Sequence, residues 1–182
     1  MHALRSIAPW LPWITPLIVA GGDGTSRFGL GLVIGLVTVI VLALTGLDRG
    51  ILMWVTLAFF AAMTIAVLGF HSTWTVGHFA ALANTALAAA AWGSMLIGKP
   101  FTLEAARQQT DPSHWNHPLF IRANAVITAV WAAAFTINAG IAWASLLFHL
   151  PTGSVVSVSS ITLLGAILFS AWYPKRVRRS AE

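Results

Sequence analysis

Long apolar runs separated by short polar turns constrain this chain more than any other feature. Residues 28–45, 51–70, 76–97, 118–150 and 155–173 each form such a run. About 20 apolar residues in a helix cross the hydrocarbon of a bilayer. Inside hydrocarbon a helix satisfies its own backbone hydrogen bonds, and an open strand does not. Of the 182 residues, 58% are hydrophobic and only 8% are charged, where a soluble domain carries about 25% charged residues. A soluble chain of this size could not bury so much apolar surface. The pattern predicts an all-α fold, an integral membrane helical bundle with about six transmembrane segments and a short cytoplasmic interfacial helix. No fixed-period repeat and no shift in composition divides the chain, so residues 1–182 are expected to form a single transmembrane domain.

The first segment, residues 7–20, departs from the others. It is short, and Pro9, Pro12 and Pro16 interrupt it. Each proline removes a backbone donor, which predicts a kinked or partly inserted helix. If this segment is re-entrant, the spans number five. No small-residue cleavage site precedes Gly21, so a retained membrane segment is expected and not a cleaved signal peptide. At the other end, the sixth segment is expected to stop at Pro174.

Charge sets the orientation. The net charge is +5, and the tail carries Lys175, Arg176, Arg178 and Arg179 directly after an apolar run. That position favours a cytoplasmic membrane surface over nucleic acid. With six crossings and both termini cytoplasmic, the inner side receives Arg5, Arg49, Lys99, Arg107 and the tail, and the outer side only Asp23 and Arg27. The absence of cysteine removes disulfides and thiolate chemistry.

Helices in lipid associate through close packing and a few hydrogen bonds. Gly31 and Gly35 form a GxxxG, read as a tight contact within the monomer, with a homo-oligomer face as the alternative. Gly77, Ala81, Ala88 and Ala91 share a small-residue face beside Asn84. On the fifth segment Asn124, Trp131 and Asn138 recur every seventh residue, with Thr128 and Phe135 on the same face. Polar side chains in hydrocarbon need partners, so this stripe should face other helices. It reads as hydrogen bonding that fixes the bundle; a hydrated path or ligand groove is the alternative. No Asp, Glu or Lys lies deep in a segment, which argues against a proton relay.

Candidates for chemistry are sparse. His71, His78 and His149 are expected near the outer face, where they would meet headgroups and water or, alternatively, bind haem or a metal. In the connector between the fourth and fifth segments, Asp111, His114 and His117 offer three possible ligands, but Pro112 and Pro118 oppose a regular helix through them. No nucleophile elbow, HExxH or phosphate-binding loop is present. No catalytic residue, cofactor or metal is assigned. The connector instead predicts a short interfacial helix over "FTLEAARQQ", in which Phe101, Leu103 and alanines dip into the interface and Glu104 and Arg107 stay wet. Trp115 is placed at headgroup level and Pro118 opens the fifth segment. Glu104, Arg107 and Trp115 form the candidate partner surface.

The order of features now resembles a family. A proline-broken first segment, closely spaced apolar spans, "GKPFTLEAAR" after the fourth, a turn with proline and tryptophan, a long span with Asn and Trp, the region from Trp115 to Asn138 and a basic tail are similar to the bacterial intracellular septation protein A family of small inner-membrane proteins. The resemblance implies a multi-pass protein of the bacterial inner membrane. It implies a non-enzymatic role in cell-envelope maintenance and septation, exercised through membrane lipids or other envelope membrane proteins. The alternatives from the residues themselves are a small transporter or lipid-handling protein using the stripe, and a haem or metal membrane protein.

Overall fold

The computed structural model describes residues 10–19, 25–47, 50–108 and 110–179, and the described elements are helical. Five helices are long and apolar enough to cross a membrane, over residues 27–45, 51–69, 79–96, 118–148 and 152–177. The chain is thus an all-α membrane bundle. Its packing divides it into two compact units, Met1–Phe79 and Ala80–Glu182.

In the first unit, α1 (Leu11–Val19) packs along α2 (Thr25–Thr45), which packs on α3 (Ile51–Thr64). Nine residues of α1 extend only about 14 Å, too short for the ~30 Å hydrocarbon. The described spans number five, one fewer than the six the sequence favours and the count it gives for a re-entrant first segment; residues 7–9 and 20 of that segment, Pro9 included, lie outside the described residues. Pro12 and Pro16 are fully buried. Gly31 and Gly35 explain how α1 fits. A Cβ on Gly31 would lie 2.7 Å from the Pro16 Cα, and one on Gly35 would lie 2.9 Å from Thr15 Oγ1 and run into the Phe60 ring of α3. The GxxxG is thus a close contact within the monomer, as the sequence suggests. Thr15 Oγ1 donates to Pro12 O at 2.8 Å, with Gly31 O at 3.4 Å. Trp13 stacks on Phe59 at 5.1 Å and meets the Phe60 edge at 5.3 Å.

A π-helical turn, Ile65–Gly69, completes α3, and the chain reverses at His71 in the left-handed conformation (φ 52°). The expected connector at residues 71–75 is largely helical. Ser72 accepts from Thr75 N and caps α4 (Thr73–Gly77). The helix breaks at His78, so the run expected over residues 76–97 is two helices, and α5 (Phe79–Leu96) begins afresh. Gly77 consequently falls outside the small-residue face, whereas Ala81, Ala88 and Ala91 are buried on it.

The second unit contains the rest of α5, then α6 (Phe101–Arg107), a 3-10 turn at Pro112–His114, α7 (Pro118–Phe148) and α8 (Thr152–Arg179). α7, at 31 residues, is about 46 Å long and outreaches the hydrocarbon. It closes at His149, again left-handed (φ 53°). α8 continues through Pro174 instead of stopping there. Proline costs the bond to the Ser170 carbonyl, but the residues beyond it are good helix formers, and Arg176 lies over the Trp172 ring at 5.3 Å. That contact, one turn back along the axis, requires the helix to persist. Among the described residues of α8 only Ala166 is buried.

Candidate functional site

The stripe on α7 is buried as a unit: Thr128 is 0% exposed, Asn138 1%, Asn124 5% and Trp131 9%. Its polar atoms meet helices on either side. Trp131 Nε1 donates to Ser170 Oγ of α8 at 2.9 Å, and Ser170 Oγ donates onward to Ala166 O at 2.7 Å. Thr162 Oγ1 donates to Asn138 Oδ1 at 2.6 Å. Thr162 has one proton, and the carbonyls of Val158 and Ser159 lie within 3.0 Å of the same oxygen, so Asn138 competes with the turn of α8. The two pairs run in opposite directions along the two helices, which makes α7 and α8 antiparallel. Asn124 Nδ2 returns to Phe120 O at 2.9 Å. Trp131 and Phe135 pack at 5.4 Å between ring centroids.

The lower end of the stripe holds the connector. Thr102 of α6 lies 2.8 Å from Thr128 Oγ1 and donates within 2.9 Å of the Asn124 carbonyl. Ser94, fully buried in α5, accepts from Phe101 N at 3.1 Å and so caps α6. Between them the chain turns at Gly98 (φ 70°). There the N–H of Lys99 reaches back to Ser94 O at 2.8 Å, a glycine-centred helix stop. A short helix stands where the sequence predicts one, over Phe101–Arg107, but Leu103 is buried within the protein. The reason is Thr102, whose two contacts draw this helix onto α7.

A second link joins α5 to α7. Trp92 Nε1 donates to Thr136 Oγ1 and Trp143 Nε1 to Thr85 Oγ1, both at 3.1 Å. Each Thr–Trp pair is seven residues apart on its own helix, in reverse order on the other. Thr85, Trp92, Thr136, Trp143, Thr102, Ser94, Thr162 and Ser170 were not singled out in the sequence. The shared seven-residue spacing was the available signal for the first four.

The candidate surface occupies the connector. Glu104 is exposed, and Arg107 and Trp115 are half-buried. The Arg107 guanidinium carbon lies 5.8 Å from the Trp115 ring centroid, within cation–π reach. Trp115 Nε1 donates to Thr110 O at 3.0 Å, fixing the indole. Asp111 accepts from Ser113 N at 2.9 Å. The Ser113 hydroxyl and backbone N–H beside it hold the Asp111 carboxyl below its usual range.

Three of the described histidines are engaged locally. His117 Nδ1 accepts from Leu119 N at 3.3 Å and caps α7, directly before Pro118. His114 Nδ1 lies 3.1 Å from Ser113 Oγ. His78 stacks on Trp74 at 4.0 Å, with Nδ1 2.7 Å from Trp74 O. His71 and His149 are exposed at helix ends in separate units. Among the described residues no three His, Asp or Glu side chains gather as a metal site.

Comparison of the chain with protein families, curated proteins and solved structures found no match.

Proposed function

We propose that this is a non-enzymatic protein of the bacterial inner membrane that serves envelope maintenance and septation by contacting membrane proteins or lipids through the connector between α5 and α7. One observation carries the reading: Thr128, Trp131 and Asn138 of the stripe bond to neighbouring helices and Asn124 to its own, while Glu104 is exposed and Arg107 and Trp115 half-buried on the connector. A bundle whose polar groups bond inward is a scaffold, and what it presents lies on its connector. The positive-inside rule supports a cytoplasmic connector and tail, with Lys99, Arg107 and the basic C-terminus on one side. The resemblance to the septation protein A family, carried by "GKPFTLEAAR" and the region from Trp115 to Asn138, supplies the cellular role.

Photo-crosslinkers at positions 104 and 115, with a lipid-facing control at Leu164, test this in intact bacterial membranes. The reading expects adducts with protein or lipid headgroups that are specific to the connector positions. Equal adducts at Leu164 contradict it. Transport in proteoliposomes that is abolished by Asn124→Leu with Asn138→Leu would replace it with the conduit reading.

A further inference from the structure

We propose that Arg107 and Trp115 form a binding site for the phosphate of an anionic phospholipid headgroup; this rests on the reading of the connector as the working surface and names the lipid class it takes. Arg107 is the unusual group. Its Nε is sealed from solvent with no hydrogen-bond partner, a costly arrangement for a cationic side chain. Neither carboxylate of the connector compensates. Glu104, one turn away and exposed, forms no ion pair with it, and Asp111 is occupied by Ser113. The Trp115 indole covers the guanidinium at 5.8 Å and is itself tied to the Thr110 carbonyl. The cation is thus held in place without a counter-anion among the described residues. With Nε sealed inside, the fork left to meet a ligand is the pair of terminal nitrogens, which fits a phosphate in a two-point contact that an ammonium cannot make.

The location selects a lipid over a soluble anion. Thr102 fixes α6 against α7 at Asn124 and Thr128, beside the end of a span. The register set by Trp131 and Ser170, continued six residues along each antiparallel helix, brings Arg176 level with Ala125. A second cation–indole pair, Arg176 over Trp172, therefore stands at the depth where α6 docks. Indoles at this depth mark the headgroup layer. Among the described residues at this end, Arg107, Arg122, Lys175 and Arg176 outnumber the carboxylates Glu104 and Asp111, so their net charge is positive. That charge is complementary to an anionic leaflet.

The test uses the full-length protein, delipidated in neutral detergent. Binding of phosphatidylglycerol, of phosphatidylcholine with the same chains, and of inorganic phosphate is measured by native mass spectrometry and by thermal shift. Phosphatidylglycerol is expected to bind preferentially, and Arg107→Gln to weaken it about tenfold or more. Arg107→Lys should restore only part of that loss, because it keeps the charge and lacks the fork. Arg122→Gln, which removes the same charge nearby, should change binding far less. Equal binding of the two lipids, or equal losses in Arg107→Gln and Arg122→Gln, overturns the site. Inorganic phosphate binding as tightly as the lipid makes it a soluble-anion site and likewise overturns the proposal. Should Arg107→Gln fail to fold, the lipid comparison on the unaltered protein and Arg107→Lys still decide. Loss of the headgroup site with crosslinks at positions 104 and 115 retained leaves the functional reading standing; loss of those crosslinks removes it independently.

Discussion

At the scale of single residues, a few side chains and two glycines fix the geometry. Gly98 sits at φ 70° with nothing within 4 Å of where a Cβ would be, so Gly98→Ala carries a purely conformational cost of about 1 kcal/mol. Thermal unfolding in detergent should show that loss without a change in fold. Gly31→Ala is different in kind, because the added methyl meets the Pro16 backbone and α1 must move. A loss of about 1–3 kcal/mol is expected from such overpacking, together with freer proteolysis near α1. Thr102→Val keeps the volume but leaves Thr128 without its 2.8 Å partner. It should cost about 1–2 kcal/mol and loosen α6, read as faster amide exchange over residues 101–107. Asp111 gives the pH dependence. Its carboxyl is held below the usual range by Ser113, so the anion's contribution to the 112–114 turn is present at neutral pH. That contribution fades as pH falls through the lowered value. Slow exchange of the Ser113 amide at neutral pH that is lost in acid, and absent throughout in Asp111→Ala, is the expected signature.

At the scale of elements, the spans were legible because apolar length is a property of each segment alone. The stripe was legible for the same reason: Asn124, Trp131 and Asn138 lie on one face whatever lies opposite. Their partners were not. Thr162, Ser170 and Thr102 come from other helices, and isolated hydroxyls in apolar runs look like ordinary spacing residues. Pro174 was misread as a terminator because its local penalty is visible in the sequence, whereas the Arg176–Trp172 contact beyond it depends on the helix continuing. The break at His78 was missed because residues 76–97 read as one apolar run, and Ser72, which caps α4, lies outside it. Leu103 was assigned to lipid on its helix periodicity, and Thr102 turned it inward.

At the scale of the molecule, the five spanning helices make the chain a membrane protein. The proposed function requires the connector carrying Glu104, Arg107 and Trp115 to face the cytoplasm. The chain has no cysteine, so single introduced thiols report without background. Glu104→Cys and, on the opposite side of the proposed topology, Thr152→Cys should be probed with a membrane-impermeant maleimide in spheroplasts and in inverted vesicles. With the connector cytoplasmic, position 104 should label only in inverted vesicles and position 152 only in spheroplasts. Labelling of position 104 in intact spheroplasts would contradict it.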